Sequence, residues 1–170
     1  MPRLARVLGV DDNSRNLAIL RRTLARDCEL MTAASGEEAL AVAPRFRPDI
    51  VLLDIMMPAM DGYETCRRLR AHPETASAKI ILVSAKALTA ERLEGYAAGA
   101  DDYVVKPFDP DELSAKVRVY SKLKSIEEVD QLRGDLLTLL SHGTRTPLTT
   151  ILSPLPMLLM GENLTPEQRR

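Results

Sequence analysis

Cysteine is scarce in this sequence. The chain contains only Cys28 and Cys66, which have neither the spacing of a metal site nor the density of a disulfide framework. Unpaired thiols of this kind fit a reducing compartment. We therefore expect a cytoplasmic protein.

The sequence also lacks an excess of charge of either sign and any long apolar stretch. Its 23 Lys and Arg nearly balance its 24 Asp and Glu, so no overall basic field predicts nucleic-acid binding. The N-terminus, MPRLARVLGVDD, has no signal-peptide core. The most apolar later window, LTTILSPLPMLLM, is too short and too interrupted by proline to cross a bilayer. We expect neither nucleic-acid binding nor direct membrane insertion.

Short apolar runs instead alternate with amphipathic stretches. In RNLAILRRTLAR, a helical face carries Leu17, Leu20 and Leu24, after a predicted N-cap at Ser14. Strands that alternate with helices favour parallel pairing. The sequence therefore predicts an α/β fold with a five-stranded, doubly wound parallel sheet. Its predicted strands are RVLGV, CELMTA, DIVLLD, KIILVSA and DYVVKPF.

Four of the apolar strands end in polar residues. They are Asp11 and Asp12, Asp54, Ser84 and Lys106. The carboxyl ends of parallel strands meet at one edge of a sheet, so we expect these side chains to converge. Three carboxylates about 5 Å apart repel by roughly 3 kcal/mol per pair at an effective dielectric constant near 20. A divalent cation relieves that repulsion, and an all-oxygen site suits Mg²⁺.

This set of residues matches the chemistry of phosphoryl transfer to a carboxylate. Asp54 would be the nucleophile, and Lys106 with the cation would neutralise the transferring group. Ser84 would donate a hydrogen bond to a phosphate oxygen. Each residue alone has a simpler interpretation, because aspartates often end strands and a lone serine carries no signal. Their joint position at strand ends favours the phosphoryl site.

Four motifs carry a resemblance to the receiver domain of bacterial response regulators, over about residues 4 to 123. They are VLGVDDN, DIVLLDIMMPAMDG, ILVSAKA and GADDYVVKPF. The resemblance implies a flavodoxin-like fold in which Asp54 accepts a phosphoryl group from a histidine kinase or a phosphotransfer protein. It also implies that Asp12, Asp54 and the Met56 carbonyl bind Mg²⁺ directly, with Asp11 acting through water.

The same resemblance assigns roles to residues of the fourth and fifth strands. Lys106 matches the phosphate-binding lysine, whose peptide bond to Pro107 is typically cis. Ser84 and Tyr103 match a switch hydroxyl and a switch aromatic, which move together and remodel the surface around the fourth and fifth helices. Ordinary packing at the strand edge is the alternative for Tyr103.

The fifth predicted helix continues beyond the size of the receiver domain. Between Asp111 and His142 it contains no proline and a single glycine, Gly134. Its apolar residues form a narrow seam, which favours packing on a partner helix with a local stutter. We expect a homodimer through residues 119–150; a helix folded back on its own domain is the alternative. The seam consists of Val119, Leu123, Ile126, Val129, Leu132, Leu136 and Leu139.

The segment LLSHGTRTPLTTIL is similar to the phosphoacceptor box of sensor histidine kinases. The resemblance makes His142 a second candidate phosphoacceptor; a surface histidine is the alternative. Gly143 stands where that family has an acidic residue that activates the imidazole, which argues against autophosphorylation. Thr146 favours a part in dephosphorylation. The matching residues are Ser141, His142, Arg145, Thr146, Pro147 and Leu148.

These patterns predict two domains and leave three functions in competition. We expect a receiver domain at 1–123, then a coiled-coil linker with a partial dimerisation and phosphoacceptor segment at 124–170. Nothing that resembles an ATP-binding kinase domain follows the phosphoacceptor-like box, and the sequence has no Walker-type glycine loop. We therefore expect a piece of a longer hybrid protein, and whether the parent is an enzyme stays open. The functions are a phosphorylated signalling switch, the N-terminal part of a hybrid histidine kinase, and a dimerising adaptor.

Overall fold

The computed structural model describes residues 3–85 and 88–152, with side chains up to residue 138. Within these residues, five strands form one parallel sheet in the order β2-β1-β3-β4-β5. The strands are β1 Ala5–Val10, β2 Cys28–Ala33, β3 Ile50–Asp54, β4 Lys79–Ser84 and β5 Asp102–Val105. The helices are α1 Ser14–Leu24, α2 Gly36–Phe46, α3 Gly62–Ala71, α4 Thr89–Ala97 and α5 Pro110–Leu152. The predicted α/β fold, including the long final helix, is confirmed.

The central strand β3 explains why the sheet is parallel and covered on both sides. All five of its residues are buried, as expected for a continuous apolar run between helical layers. Val51 and Leu53 pack with α2 and α3, whereas Ile50 and Leu52 pack with α1 and the start of α5. Alternate residues of one strand thus enter two cores on opposite faces of the sheet.

Side-chain caps fix where three helices begin. The Ser35 hydroxyl accepts a hydrogen bond from the Glu38 amide at 3.1 Å, and Asp61 accepts one from the Glu64 amide at 2.8 Å. The N-cap of α1 is Asn13, whose side chain accepts from the Arg15 amide at 2.9 Å. The predicted cap at Ser14 was therefore wrong by one residue. Asn and Ser are almost equally good caps, so the local sequence did not separate the two.

The chain divides into two compact units, Met1–Ser125 and Ile126–Arg170. In the first unit, Leu113 and Val117 of α5 are fully buried, and Lys116 pairs with Asp102 at 2.7 Å. The Lys124 ammonium donates to the Ser77 carbonyl at 3.0 Å. These contacts hold the first turns of α5 on the sheet.

In the second unit, the described apolar side chains lie on the surface. Leu132 is 69% exposed and Val129 is 63% exposed. Among the described residues, no helix has the length and apolarity needed to span a bilayer. The proposed boundary between residues 123 and 124 and the homodimer stay predictions.

Candidate functional site

The structure brings the three predicted carboxylates together. Asp11 and Asp12 directly follow β1, and Asp54 is the last residue of β3, which pairs with β1 so that Val10 lies beside Leu53. One oxygen from each carboxylate lies within 4.8 Å of the others. Asp11 and Asp54 are buried, whereas Asp12 is exposed. Their proximity follows from strand pairing.

Lys106 lies between two of these carboxylates. It follows β5, and its ammonium donates to Asp11 Oδ2 at 2.7 Å and lies 3.1 Å from Asp54 Oδ1. The Lys106 backbone amide donates to the Ser84 carbonyl at 2.7 Å, which fixes the lysine against the end of β4. The Lys106–Pro107 peptide bond is cis, as the resemblance implied.

A residue that the sequence did not single out holds Asp11 in place. The Asn16 side-chain amide donates to both oxygens of Asp11, at 3.0 and 2.9 Å. The Asn13 backbone amide donates to Asp11 Oδ1 at 2.9 Å. The sequence offered one weak sign of this role: Asn16 is a polar residue next to the apolar positions of α1. We infer that it orients Asp11.

Ser84 and Tyr103 are both buried. Ser84 ends β4 and is 1% exposed, and the β3–β4 register places it one position beyond the residue beside Asp54. Tyr103 is 7% exposed, and the Arg92 guanidinium lies 5.9 Å from the centre of its ring. The switch roles stay predictions.

The loop after β3 approaches Asp54 through another residue that the sequence analysis missed. A Cβ on Gly62 would lie 2.3 Å from the Asp54 carbonyl oxygen and 2.7 Å from Ile55 Cα. The Gly62 amide donates to the Ile55 carbonyl at 3.0 Å. Met56 is exposed at the start of this loop, and metal binding by its carbonyl stays a prediction. The glycine permits the start of α3 to approach the backbone of Asp54 and Ile55 closely.

Gly62→Ala is expected to lower the free energy of unfolding by about 1–3 kcal/mol, the usual cost of overpacking a fixed site. The atoms that the new methyl group meets belong to the backbone and do not rotate away. Urea unfolding measures the change. Gly134→Ala is the matched control, since no atom lies within 4 Å of a Cβ there, and alanine should stabilise the helix by about 1 kcal/mol. Equal effects at the two glycines would contradict the packing argument.

Burial and the neighbouring charges shift the pKa of Asp54 in opposite directions. Burial raises the pKa of the Asp54 carboxyl, the Lys106 ammonium lowers it, and the Asp11 carboxylate raises it again. The net direction is upward. A charged Asp54 is therefore less stable in the folded protein than in the unfolded chain, and a cation at this site would relieve that cost.

Asp54→Asn is expected to stabilise the magnesium-free protein increasingly as the pH rises. A carboxyl whose pKa is raised on folding loses folding free energy as pH increases from its unfolded to its folded pKa. Asparagine keeps the size of the side chain and removes this loss. Thermal unfolding of both proteins in chelator, from about pH 3 to pH 8, measures the gap. If the melting temperatures of the two proteins differ by the same amount at every pH in this range, the raised pKa of Asp54 is contradicted.

His142 belongs to α5, whose backbone is described to Leu152. Its side chain lies outside the described residues, as does the side chain of Thr146. The second phosphoacceptor therefore stays a prediction.

Comparisons with known proteins concern the receiver part of the chain. The family profile described as "Response regulator receiver domain" matches residues 7–118. Response regulator PleD of Caulobacter vibrioides is 41% identical over 130 residues, which cover 76% of this chain and 28% of PleD. Transcriptional regulatory protein YvrH of Bacillus subtilis is 38% identical over 120 residues, which cover 69% of this chain and 49% of YvrH. The chain thus spans less than half of each of these relatives.

Solved structures agree on the fold. Chemotaxis protein CheY4 of Vibrio cholerae matches with a TM-score of 0.66 at 33% identity, over 69% of this chain and 98% of that chain. A response regulator from Chloroflexus aurantiacus matches with a TM-score of 0.67 at 36% identity, over 71% of this chain and 99% of that chain. The flavodoxin-like receiver fold is confirmed. The likeness of residues 139–152 to a histidine-kinase box stays a prediction. From its sheet order, its acidic cluster and these matches, the chain belongs to the response regulator receiver domain family of two-component systems.

Proposed function

We propose that Asp54 accepts a phosphoryl group from the phosphohistidine of a histidine kinase or phosphotransfer protein, in a Mg²⁺-dependent step that switches a C-terminal dimerisation helix. The observation that carries the proposal is the position of the Lys106 ammonium, 2.7 Å from Asp11 and 3.1 Å from Asp54. A fixed positive charge beside a buried carboxylate suits a reaction that brings an anionic phosphoryl group onto that carboxylate.

The chain's own residues account for the transfer. A carboxylate oxygen of Asp54 forms a bond to phosphorus, the bond from phosphorus to the donor imidazole breaks, and the imidazole nitrogen keeps the electron pair. Lys106 neutralises the oxygens of the transferring group. Ser84, at the end of β4, would donate a hydrogen bond to one of them in the product.

The acidic cluster fits a magnesium ion. Three carboxylate oxygens within 4.8 Å of one another are the hard oxygen ligands that this ion prefers. Burial and the Asp11 carboxylate raise the pKa of Asp54 despite the Lys106 ammonium, which supports a cation beside it. Asp12, Asp54 and the Met56 carbonyl would hold the ion directly. When bound, it would withdraw negative charge from the phosphoryl group.

Phosphorylation of Asp54 would change two exposed apolar surfaces. Leu93, Tyr96 and Val105 are exposed on α4 and β5, close in sequence to Tyr103. The exposed seam of α5 includes Val129, Leu132 and Leu136. Apolar residues exposed at helical spacing support a second copy of the chain as the partner.

Intact-mass spectrometry after treatment with acetyl phosphate and Mg²⁺ tests the phosphoryl step. We expect a gain of one phosphoryl group in the wild-type chain. The gain should be absent in Asp54→Asn and without Mg²⁺. A gain that survives Asp54→Asn would exclude Asp54 as the acceptor.

The sequence motif around His142 favours one alternative, in which this chain is part of a hybrid histidine kinase and the segment takes part in phosphotransfer or dephosphorylation. Its support is the run Ser141–His142 followed by Arg145–Thr146–Pro147–Leu148. A second phosphoryl group that transfers between Asp54 and His142, and disappears in His142→Ala, would support it. Transfer unchanged in that variant would contradict it.

A further inference from the structure

We propose that residues 126–138 of α5 pair with a second copy of this chain as a parallel, in-register, two-stranded coiled coil, and that Glu128 and Arg133 select this orientation. The inference rests on the dimer proposed above and adds its geometry and its determinants. It concerns residues 126–138, whose side chains the structure describes.

Three of the five exposed apolar side chains of this segment have heptad spacing, and Ile126 lies beside them at position e. Val129, Leu132 and Leu136 are separated by three and then four residues, and they are 63%, 69% and 60% exposed. In heptad terms they occupy positions a, d and a. Leu139 follows at d in the sequence. Val129 at a with Leu132 at d is the combination that favours two strands over three or four.

The rest of the segment is polar where the heptad predicts contact with water. Positions b, c and f include Glu127, Asp130, Gln131, Gly134 and Thr138. Gly134 at f has nothing within 4 Å of a would-be Cβ, so it interrupts no apolar layer. Leu137 at b is the exception, with an exposure of 56%.

The charged residues beside the seam select the direction of the partner helix. Glu128 is at g and Arg133 is at the following e. In a parallel pair, a residue at g faces the residue five positions later on the other helix. Glu128 of each copy then faces Arg133 of the other, which gives two symmetric ion pairs. Charges at e and g set partner choice and orientation in coiled coils.

An antiparallel pair juxtaposes like charges instead. When Leu132 faces Leu136 of an antiparallel copy, residues at g face g and residues at e face e. Asp135 then faces Asp135 and Arg133 faces Arg133. Such repulsion disfavours the antiparallel arrangement even though its apolar layers are also complete.

Cysteine cross-linking of the full chain distinguishes the two directions. Parallel pairing places Val129 beside its own copy, whereas the antiparallel pair separates the two copies of Val129 by ten residues, or about 15 Å along the axis. We expect a short bis-maleimide to link Val129→Cys into a covalent dimer. Gln131→Cys, on the outward face, is the matched control and should stay unlinked.

The native thiols do not interfere with this test. Cys28 and Cys66 are buried, and burial raises the pKa of each to about 11, so little thiolate is present near neutral pH. The wild-type chain should therefore give no cross-link. A dimeric protein in which Val129→Cys fails to link would overturn the parallel arrangement.

Charge exchange tests the determinants. Glu128→Arg alone or Arg133→Glu alone should weaken the dimer about tenfold in sedimentation equilibrium, because two exposed ion pairs become repulsions. A mixture of the two variants, or both changes in one chain, should restore the wild-type dissociation constant. Absence of this rescue, or a wild-type chain that stays monomeric, would overturn the proposal. Phosphoryl uptake on Asp54, measured on the same samples, would show independently whether the proposed function also fails.

Discussion

Lys106→Met is expected to slow phosphoryl uptake from acetyl phosphate by about 10²–10³-fold, the usual loss when one preorganised charge is removed from a transferring group. The ammonium lies 3.1 Å from Asp54 Oδ1, beside the carboxylate that would attack phosphorus. Methionine keeps the length of the side chain and removes its charge. The rate is read from the increase in phosphorylated mass with time, at saturating Mg²⁺.

Lys116→Met is the matched control for Lys106. It also breaks a lysine–aspartate pair, since the Lys116 ammonium lies 2.7 Å from Asp102, but Asp102 begins β5 and the phosphoryl site is at the other end of that strand. The control should keep the wild-type rate. A circular-dichroism melt shows whether each variant is folded at the assay temperature. A rate within about threefold of wild type in folded Lys106→Met would exclude the proposed role of this lysine.

Leu132→Glu combined with Leu136→Glu is expected to convert the proposed dimer to a monomer. The two side chains are 69% and 60% exposed in one chain, and pairing would bury four leucines per dimer. At about 1.5–3 kcal/mol for each, their loss removes at least about 6 kcal/mol, which raises the dissociation constant by roughly 10⁴-fold. Light scattering across a concentration series measures the change.

Gln131→Glu combined with Thr138→Glu provides the control for that pair of substitutions. These positions face away from the seam, and the change adds the same charge. The dimer should persist in this variant. If the wild-type chain is monomeric throughout the concentration series, α5 does not act as a self-association helix and the homodimer proposal fails.

The sequence predicted the sheet because its signal is local and repeated. Each buried strand is a short apolar run, and β3 carries four apolar residues before Asp54. Parallel pairing follows from alternation with helices. The convergence of Asp11, Asp54 and Lys106 then follows from topology, since all three stand at carboxyl ends of strands in one sheet.

The residues that sequence reasoning missed act through contacts that no local pattern encodes. Asn16 holds Asp11 from the first turns of α1, and its sequence position is that of an ordinary polar residue on a helix. Gly62 directly follows Asp61, the N-cap of α3, so the sequence alone suggests only a residue at a helix start. Its second role, the close approach to the Asp54 carbonyl oxygen, depends on how the loop folds back on β3.

Chemical mapping of the acyl phosphate tests most directly whether the sheet edge directs phosphoryl chemistry to one carboxylate. Borohydride reduction of the phosphorylated chain converts the modified aspartate to homoserine, and peptide mass spectrometry then reads its position. The account predicts homoserine at position 54 alone, with Asp11 and Asp12 unchanged. Homoserine at position 11 or 12, or at none of the three, would contradict it.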